Sequence, residues 1–374
     1  MNLAYIIPTR DRPEVLRRTL DALAALPTHR AQVIIIDNAS TQRPRPPARL
    51  ANGLGVDLIP LDHNAGAAAR NTGAAHADRS CDWLVMLDDD SSPMDDGHLR
   101  ALAAAAPDVA AVAAEIFLPP GGDGLAIRES GGLPEVFVGC GVAIRRDAFL
   151  DRGGYDERFG FYAEEYDLSA RLLLGGLRIT LDRRFRVEHR KVSTGRDMNL
   201  ILRRLVRNNA WIMQRYAPAR ARIGELANTI SRYGAIARKE RATAGFGRGV
   251  HELVASLRSQ RRSPMPTGLW DRFTGMAAAR RSLQTAYAES PFAAAAVIHQ
   301  GKNAHIIRAA LAELGVREVV DTDQADAIVI GTLSPGPMLD ALDAAETNFP
   351  RHRVVAPWNI APRRVPLPFA APAA

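Results

Sequence analysis

The stretch WLVMLDDDSSP, Trp83 to Pro93, runs apolar for five residues and then meets three consecutive aspartates. The apolar run has the length and composition of a buried strand, and the like charges at its end are costly unless a cation neutralises them. A hard divalent ion with oxygen ligands would do so while keeping water and phosphate oxygens in its shell. Asp88 and Asp90 stand in an Asp-x-Asp arrangement whose outer side chains can face one site from a turn. A capping cluster ahead of a helix over Asp95–Ala106 is the competing reading. It accounts for Ser92 or Asp95 better than for Asp88, Asp89 and Asp90 together.

Outward from this strand the first part of the chain alternates strand and helix patterns. Leu3–Pro8, Gln32–Asp37 and Gly55–Leu61 read as strands, and Pro13–Leu26 carries apolar residues at helical spacing. Ala65–Ala77 reads as a helix of small residues. Continuous apolar strands joined by helices imply a mainly parallel sheet covered on both faces. Ligands of such sheets sit beyond the carboxyl ends of the strands, which is where Asp37 and the Asp88–Asp90 cluster fall. Farther on, the spacing predicts a strand over Val136–Ile144, a helix near Arg146–Arg152, a helix from Glu165 to Leu174 and a strand over Arg184–Val192. Residues 196–290 read as helices, and from Ala293 strand and helix patterns return, with a proline-rich tail after Pro357. The expected organisation is therefore 1–195, 196–290 and a small α/β domain over 291–374. HQGKNAH in that last domain lacks the spacing of a phosphate loop, so an accessory or oligomerisation module is expected there, compatible with a homo-oligomer.

Composition narrows the function classes. The chain has 374 residues, 47% hydrophobic, and only two cysteines, Cys81 and Cys140, which excludes a disulfide framework and a cysteine metal cluster. No apolar run approaches the roughly 20 residues of a bilayer span, and the opening MNLAYIIPTRDRP does not read as a signal peptide. A cytoplasmic location is expected. The net charge of +7 is concentrated in residues 196–290, which hold 18 Lys and Arg against 6 Asp and Glu. Such a segment suits an anionic bilayer at the inner face of the membrane or simple packing on the preceding domain. Interleaved aromatics for stacking are lacking, so nucleic acid is not an expected partner.

Three further groups bear on chemistry. In HNAGAAARNTGAA, Gly66 and the alanines allow close backbone approach, and Arg70 projects a donor fork suited to a diphosphate. In FYAEEYDLSARLL, Glu164 and Glu165 stand at a helix start, where capping is a sufficient role, while the Gly, Phe and Tyr neighbours suit a pocket around a proton-accepting carboxylate. Asp167 and Arg171 are spaced for a helix-face ion pair. A lone His189, in RVEHRKV, is by itself usually structural.

Taken in order, IIPTRDRPEVLRRTL, IIIDNAS, NAGAAARNTG, LDDD, GCGVAIRRDAF and AEEYDLSARL resemble the family 2 glycosyltransferases over roughly residues 1–195. The resemblance implies the GT-A fold, a UDP- or dTDP-sugar donor, a hydroxyl acceptor on a glycan, a lipid-linked molecule or a small molecule, and an inverting displacement assisted by Mn²⁺ or Mg²⁺. It implies that Thr9, Arg10, Asp37, Asn38, Arg70, Asp88 and Asp89 meet the nucleotide and that Asp90 binds the metal, joined in some members by a histidine matching His189. Glu165 falls at the place of the general base and Glu164 at that of an acceptor-side carboxylate. The family more often has Asp at the position of Glu165, so Glu164 stays a rival for the base. A pyrophosphorylase would need a Gly-rich loop after the first strand, absent from PTRDRPEVL. A catalytically silent nucleotide-sugar-binding regulatory module is the remaining alternative.

Overall fold

The computed structural model describes residues 1–120, 127–191, 197–301 and 303–360. The tail beyond residue 360, the predicted strand end at Val192 and the start of the basic segment at Arg196 lie outside them, as does Lys302 of HQGKNAH.

In chain order the elements are β1 (Leu3–Thr9), α1 (Pro13–Ala24), β2 (Ala31–Asp37), β3 (Gly55–Pro60), α2 (Ala69–His76) and β4 (Trp83–Met86). There follow β5 (Ser91–Pro93), α3 (Gly97–Ala103), β6 (Val109–Phe117), β7 (Val142–Arg145), α4 (Arg146–Asp151), α5 (Glu164–Leu174) and β8 (Arg178–His189). Helices α6 (Met198–Tyr216), α7 (Arg222–Lys239), α8 (Thr243–Ser256), α9 (Thr267–Thr274) and α10 (Met276–Glu289) come next. The last part holds β9 (Ala294–Ile298), α11 (Ala304–Glu313), β10 (Arg317–Val319), β11 (Ala327–Ile330), α12 (Pro335–Asn348) and β12 (Arg353–Val355). The strand expected over Val136–Ile144 is confined to β7. Upstream of β7 the chain instead makes a local Leu133–Val136 bridge and a turn in which Gly141 N–H reaches Val138 O at 3.3 Å.

The chain folds as two compact units, each drawn from separate stretches. The first comprises Met1–Asp90, Ile144–Leu177 and Lys191–Trp270, the second Ser91–Ala143, Arg178–Arg190 and Asp271–Ala374. In the first, β3, β2, β1 and β4 lie side by side, all parallel, with Thr9 in register with Asp37 and Ile6 with Met86. The strands are buried because both faces are covered. Ile6, Ile7, Val33, Ile34, Ile35, Leu84 and Val85 exclude solvent completely. Gly73 lets α2 lie on this sheet, since a Cβ there would press into Ile6 and Ile36 at 2.8 Å.

Helices α6, α7 and α8 of the first unit build a smaller core of their own from Leu202, Val206, Tyr233, Ala237 and Ala242. Helix α8 approaches α6 closely through Gly245 and Gly249, where any Cβ would overlap the Asn199 and Arg203 carbonyls. Much of the basic character is absorbed locally: Arg203 and Arg207 both pair with Glu252, and Arg207 lies over the Trp211 ring. Among the described residues no helix is long and apolar enough to cross a membrane.

In the second unit β6 pairs with β8 in parallel, with two register irregularities, and β5 pairs antiparallel to β8. A separate parallel sheet has the order β10-β9-β11-β12. The buried Arg128 ties Glu115 of β6 to Asp340 of α12.

Candidate active site

The carboxyl edge of the first unit's sheet gathers most of the residues singled out by sequence. Thr9 ends β1, and its hydroxyl donates to Asp89 Oδ2 at 2.8 Å. The Asp89 carbonyl accepts from Thr19 Oγ1 at 2.5 Å. A residue that sequence reasoning passed over, Arg12, completes the cluster. Its Nη1 donates to Asp89 Oδ1 at 2.6 Å and its Nη2 to Asp90 Oδ2 at 2.8 Å. Arg12 directly precedes the Pro13 that opens α1. Its only sequence signal is its place three residues after Thr9. Arg10, by contrast, is half exposed and lies 3.6 Å from its neighbour Asp11.

Asp89 and Asp90 are buried, at 3% and 5% exposure, whereas the Asp88 side chain keeps 40%. Burial pushes the Asp89 carboxyl up to about 6, against the opposing pull of Arg12 and the Thr9 hydrogen bond. The middle aspartate is thus held by protein groups on three sides, and the more open Asp88 faces a different partner.

That partner is Arg70. From α2 its Nη2 donates to the Leu87 carbonyl at 3.0 Å and to Asp88 Oδ1. The guanidinium is buried, and among the described residues its Nε has no partner. Asp37 closes β2 fully buried, with Oδ1 accepting from the Ser40 N–H at 3.0 Å and Oδ2 lying 3.8 Å from Arg43. Asn38 joins two loops: its Oδ1 accepts from Ala65 N–H at 2.8 Å and its Nδ2 donates to Gly66 O at 3.1 Å.

Two carboxylates enter from α5. Glu164 is buried at 7% exposure, with Oε2 unpartnered among the described residues, whereas Glu165 is half-buried. Burial first, then the Glu165 charge, holds the Glu164 carboxyl well above the usual range, while backbone hydrogen bonding and Arg70 act in the opposite direction. Tyr155, another residue not picked out by sequence, lies within the electrostatic reach of Arg70 and both glutamates, and among the described residues its buried hydroxyl also lacks a partner. Asn71 fixes it by pairing both ways with its backbone, at 2.8 Å each.

Farther along α5, Asp167 is fully buried and accepts from Arg215 Nη1 at 2.7 Å, Tyr216 Oη at 2.6 Å and Arg171 Nε at 2.9 Å. The expected Asp167–Arg171 helix pair therefore exists, as part of a larger network anchored on α6. This network borders an open cavity of about 780 Å³, also lined by Asn71, Tyr155 and Arg152.

His189 ends β8 in the second unit, opposite Ser91 in the β5–β8 register. Its Nδ1 lies 2.9 Å from Glu129 Oε2 and 3.6 Å from Cys140 Sγ.

The chain is similar to an O-antigen biosynthesis protein, RfbC, of Myxococcus xanthus: 29% identical over 227 residues, covering 52% of this chain and 18% of that protein. It thus spans less than a fifth of that relative's length. Among solved structures, one likeness is to GalNAc-T7 with UDP, GalNAc and Mn²⁺, at TM-score 0.48 and 17% identity, covering 69% of this chain and 57% of that one. Another is to residues 1–349 of S. aureus TarS in complex with UDP-GlcNAc, at TM-score 0.48 and 15% identity, covering 84% and 93%. Residues 5–149 match the family model for glycosyl transferase family 2.

Proposed function

We propose that this protein is an inverting glycosyltransferase that moves a sugar from a UDP- or dTDP-sugar to a hydroxyl acceptor. The observation that carries this reading is the carboxylate edge itself. Asp88, Asp89 and Asp90 stand at the end of β4, with the buried Arg70 on one side and the carboxyls of α5 in electrostatic reach of it. In this reading Asp37 and Asn38 read the base, Thr9, Arg10 and Asp89 shape the nucleotide site, and the unpartnered Arg70 Nε meets the diphosphate.

The donor set of Asp88 and Asp90 consists of hard carboxylate oxygens and suits Mn²⁺ or Mg²⁺, with Asp90 as the direct ligand. When bound, such a cation offsets charge on the departing diphosphate. Glu165 takes the acceptor proton as the new bond forms on the face opposite the nucleotide, a contribution of roughly 10²–10⁴ in rate. Glu164 is the less apt base, because its side chain is buried at 7% exposure whereas Glu165 is only half-buried and more open to an acceptor. It instead lies within electrostatic reach of Arg70.

Purified protein incubated with UDP- and dTDP-sugars, a mixture of hydroxyl acceptors and Mn²⁺ should release nucleoside diphosphate and give a product of inverted anomeric configuration by NMR. Glu165→Gln should lose at least about a hundredfold in turnover. Retention of configuration, or near-normal turnover of that variant, would remove Glu165 as the base. Nucleotide-sugar binding with no transfer to any acceptor would favour a regulatory module.

A further inference from the structure

The turn that delivers Glu164 and Glu165 is strained. Gly160, Tyr162 and Ala163 have φ of 67°, 73° and 70°, so two successive residues with side chains occupy the left-handed region. Each such residue costs on the order of 1–3 kcal/mol and persists only where its surroundings hold it. Helix α5 starts on the next residue without a side-chain cap. The turn therefore sets the direction in which both carboxylates leave the backbone.

What holds it comes from α6. Asn208 is fully buried, and its Nδ2 donates to the carbonyls of Phe159, Phe161 and Tyr162 at 3.0, 2.9 and 2.7 Å. Its Oδ1 accepts from Arg207 Nε at 2.9 Å, and Arg207 Nη1 reaches Glu252 Oε2 at 3.0 Å. The amide is thereby oriented with both hydrogens toward the turn. The opposite side is closed by Ala67 N–H on Gly160 O at 2.8 Å. Independently of this contact, helix α6 packs on α7 and α8 through Leu202 and Val206 and is tied to α5 through the Arg215–Asp167 pair. Losing the Asn208 amide would thus release the turn and leave the helix in place.

We propose that Asn208 is a positioning residue for glycosyl transfer, fixing the 159–163 turn so that the α5 carboxylates meet the acceptor; this rests on the function proposed above. It touches neither donor nor acceptor and acts only through the turn. A small displacement of a catalytic group suffices to cost about a hundredfold in rate.

The test is Asn208→Ala in the full chain. Turnover (kcat) should fall about 10–100-fold, while donor KM and UDP binding stay within about twofold, because the nucleotide end built from Thr9, Asp37 and Arg70 is untouched. Amide exchange in peptides covering 159–164 should rise. Asn208→Ser, which keeps one donor, should fall between the two proteins and serves if the alanine variant does not fold. Asn209→Ala should keep wild-type turnover, since among the described residues that amide bonds only Leu205 O of its own helix, at 2.9 Å. A folded Asn208→Ala protein with wild-type kcat and exchange overturns the proposal. So does a parallel collapse of UDP affinity, Tm and kcat, which would indicate a general structural role. Should the wild-type chain transfer no sugar, the proposed function falls, and the exchange measurement still decides whether Asn208 fixes the turn.

Discussion

Replacing Arg12 by methionine removes the guanidinium that bridges Asp89 and Asp90 while keeping much of its apolar stem. The two carboxylates are nearly fully buried, and the Arg12 side chain is 35% exposed. Removing one partner of a buried ion pair costs about 3–5 kcal/mol, because the remaining charge is stranded. Solvent at the Arg12 end reduces this to about 2–3 kcal/mol. At about 2–4 °C per kcal/mol for a domain of this size, Tm should drop by roughly 5–10 °C at pH 8. The pH dependence has a definite sign. Asp89 titrates near 6 in the intact protein, and without Arg12 its folded value moves higher still. The variant is therefore penalised progressively as pH rises, since more of the buried carboxylate must be ionised, and the gap should shrink toward pH 5. Mn²⁺ should narrow the gap at pH 8, because the ion supplies the missing positive charge. Differential scanning fluorimetry at pH 5 and pH 8, with and without Mn²⁺, reads all three effects. A Tm within about 1 °C of wild type at pH 8, or a gap that widens in acid, would refute the reasoning.

Other outcomes follow from the same geometry. Glu164 has a folded value above its unfolded 4.5, so the stability it contributes is complete below that pH and declines as pH rises toward the folded value. Glu164→Gln, which cannot ionise, should therefore gain stability relative to wild type between pH 4.5 and 8, and a Tm difference that is flat or falls with pH would contradict this. Arg215→Met should cost about 3 kcal/mol by stranding Asp167, seen as a lower urea midpoint. An unchanged midpoint would mean that Tyr216 and Arg171 satisfy Asp167 unaided.

The parallel sheet and the residues gathered at its carboxyl edge were legible because they depend on local pattern. The apolar runs of β1, β2 and β4 end on Thr9, Asp37 and the aspartates, and strand ends in such sheets are where ligands gather. Helix α5 was also legible, starting at Glu164, one residue earlier than its periodicity suggests. What escaped was set by partners distant in sequence. Arg12 gains its role from carboxylates 77 and 78 residues away. Asn208 lies within an Arg-rich helical pattern, and its role exists only because a strained turn 46 to 49 residues upstream presents three carbonyls to it. The strand expected over 136–144 failed for a related reason. A Cβ at Gly141 would come within 2.8 Å of Ile116, so close packing against β6 rather than strand propensity decides the backbone there.

The claim on which the account turns is that the edge formed by Asp88, Asp89 and Asp90 holds a cation that grips a nucleoside diphosphate. Isothermal titration of UDP and dTDP into the wild-type chain and into Asp90→Asn, each with and without Mn²⁺, tests it directly. The account predicts binding that requires the ion and is lost in the variant. Binding indifferent to both the ion and Asp90, or no binding of either diphosphate, would contradict it.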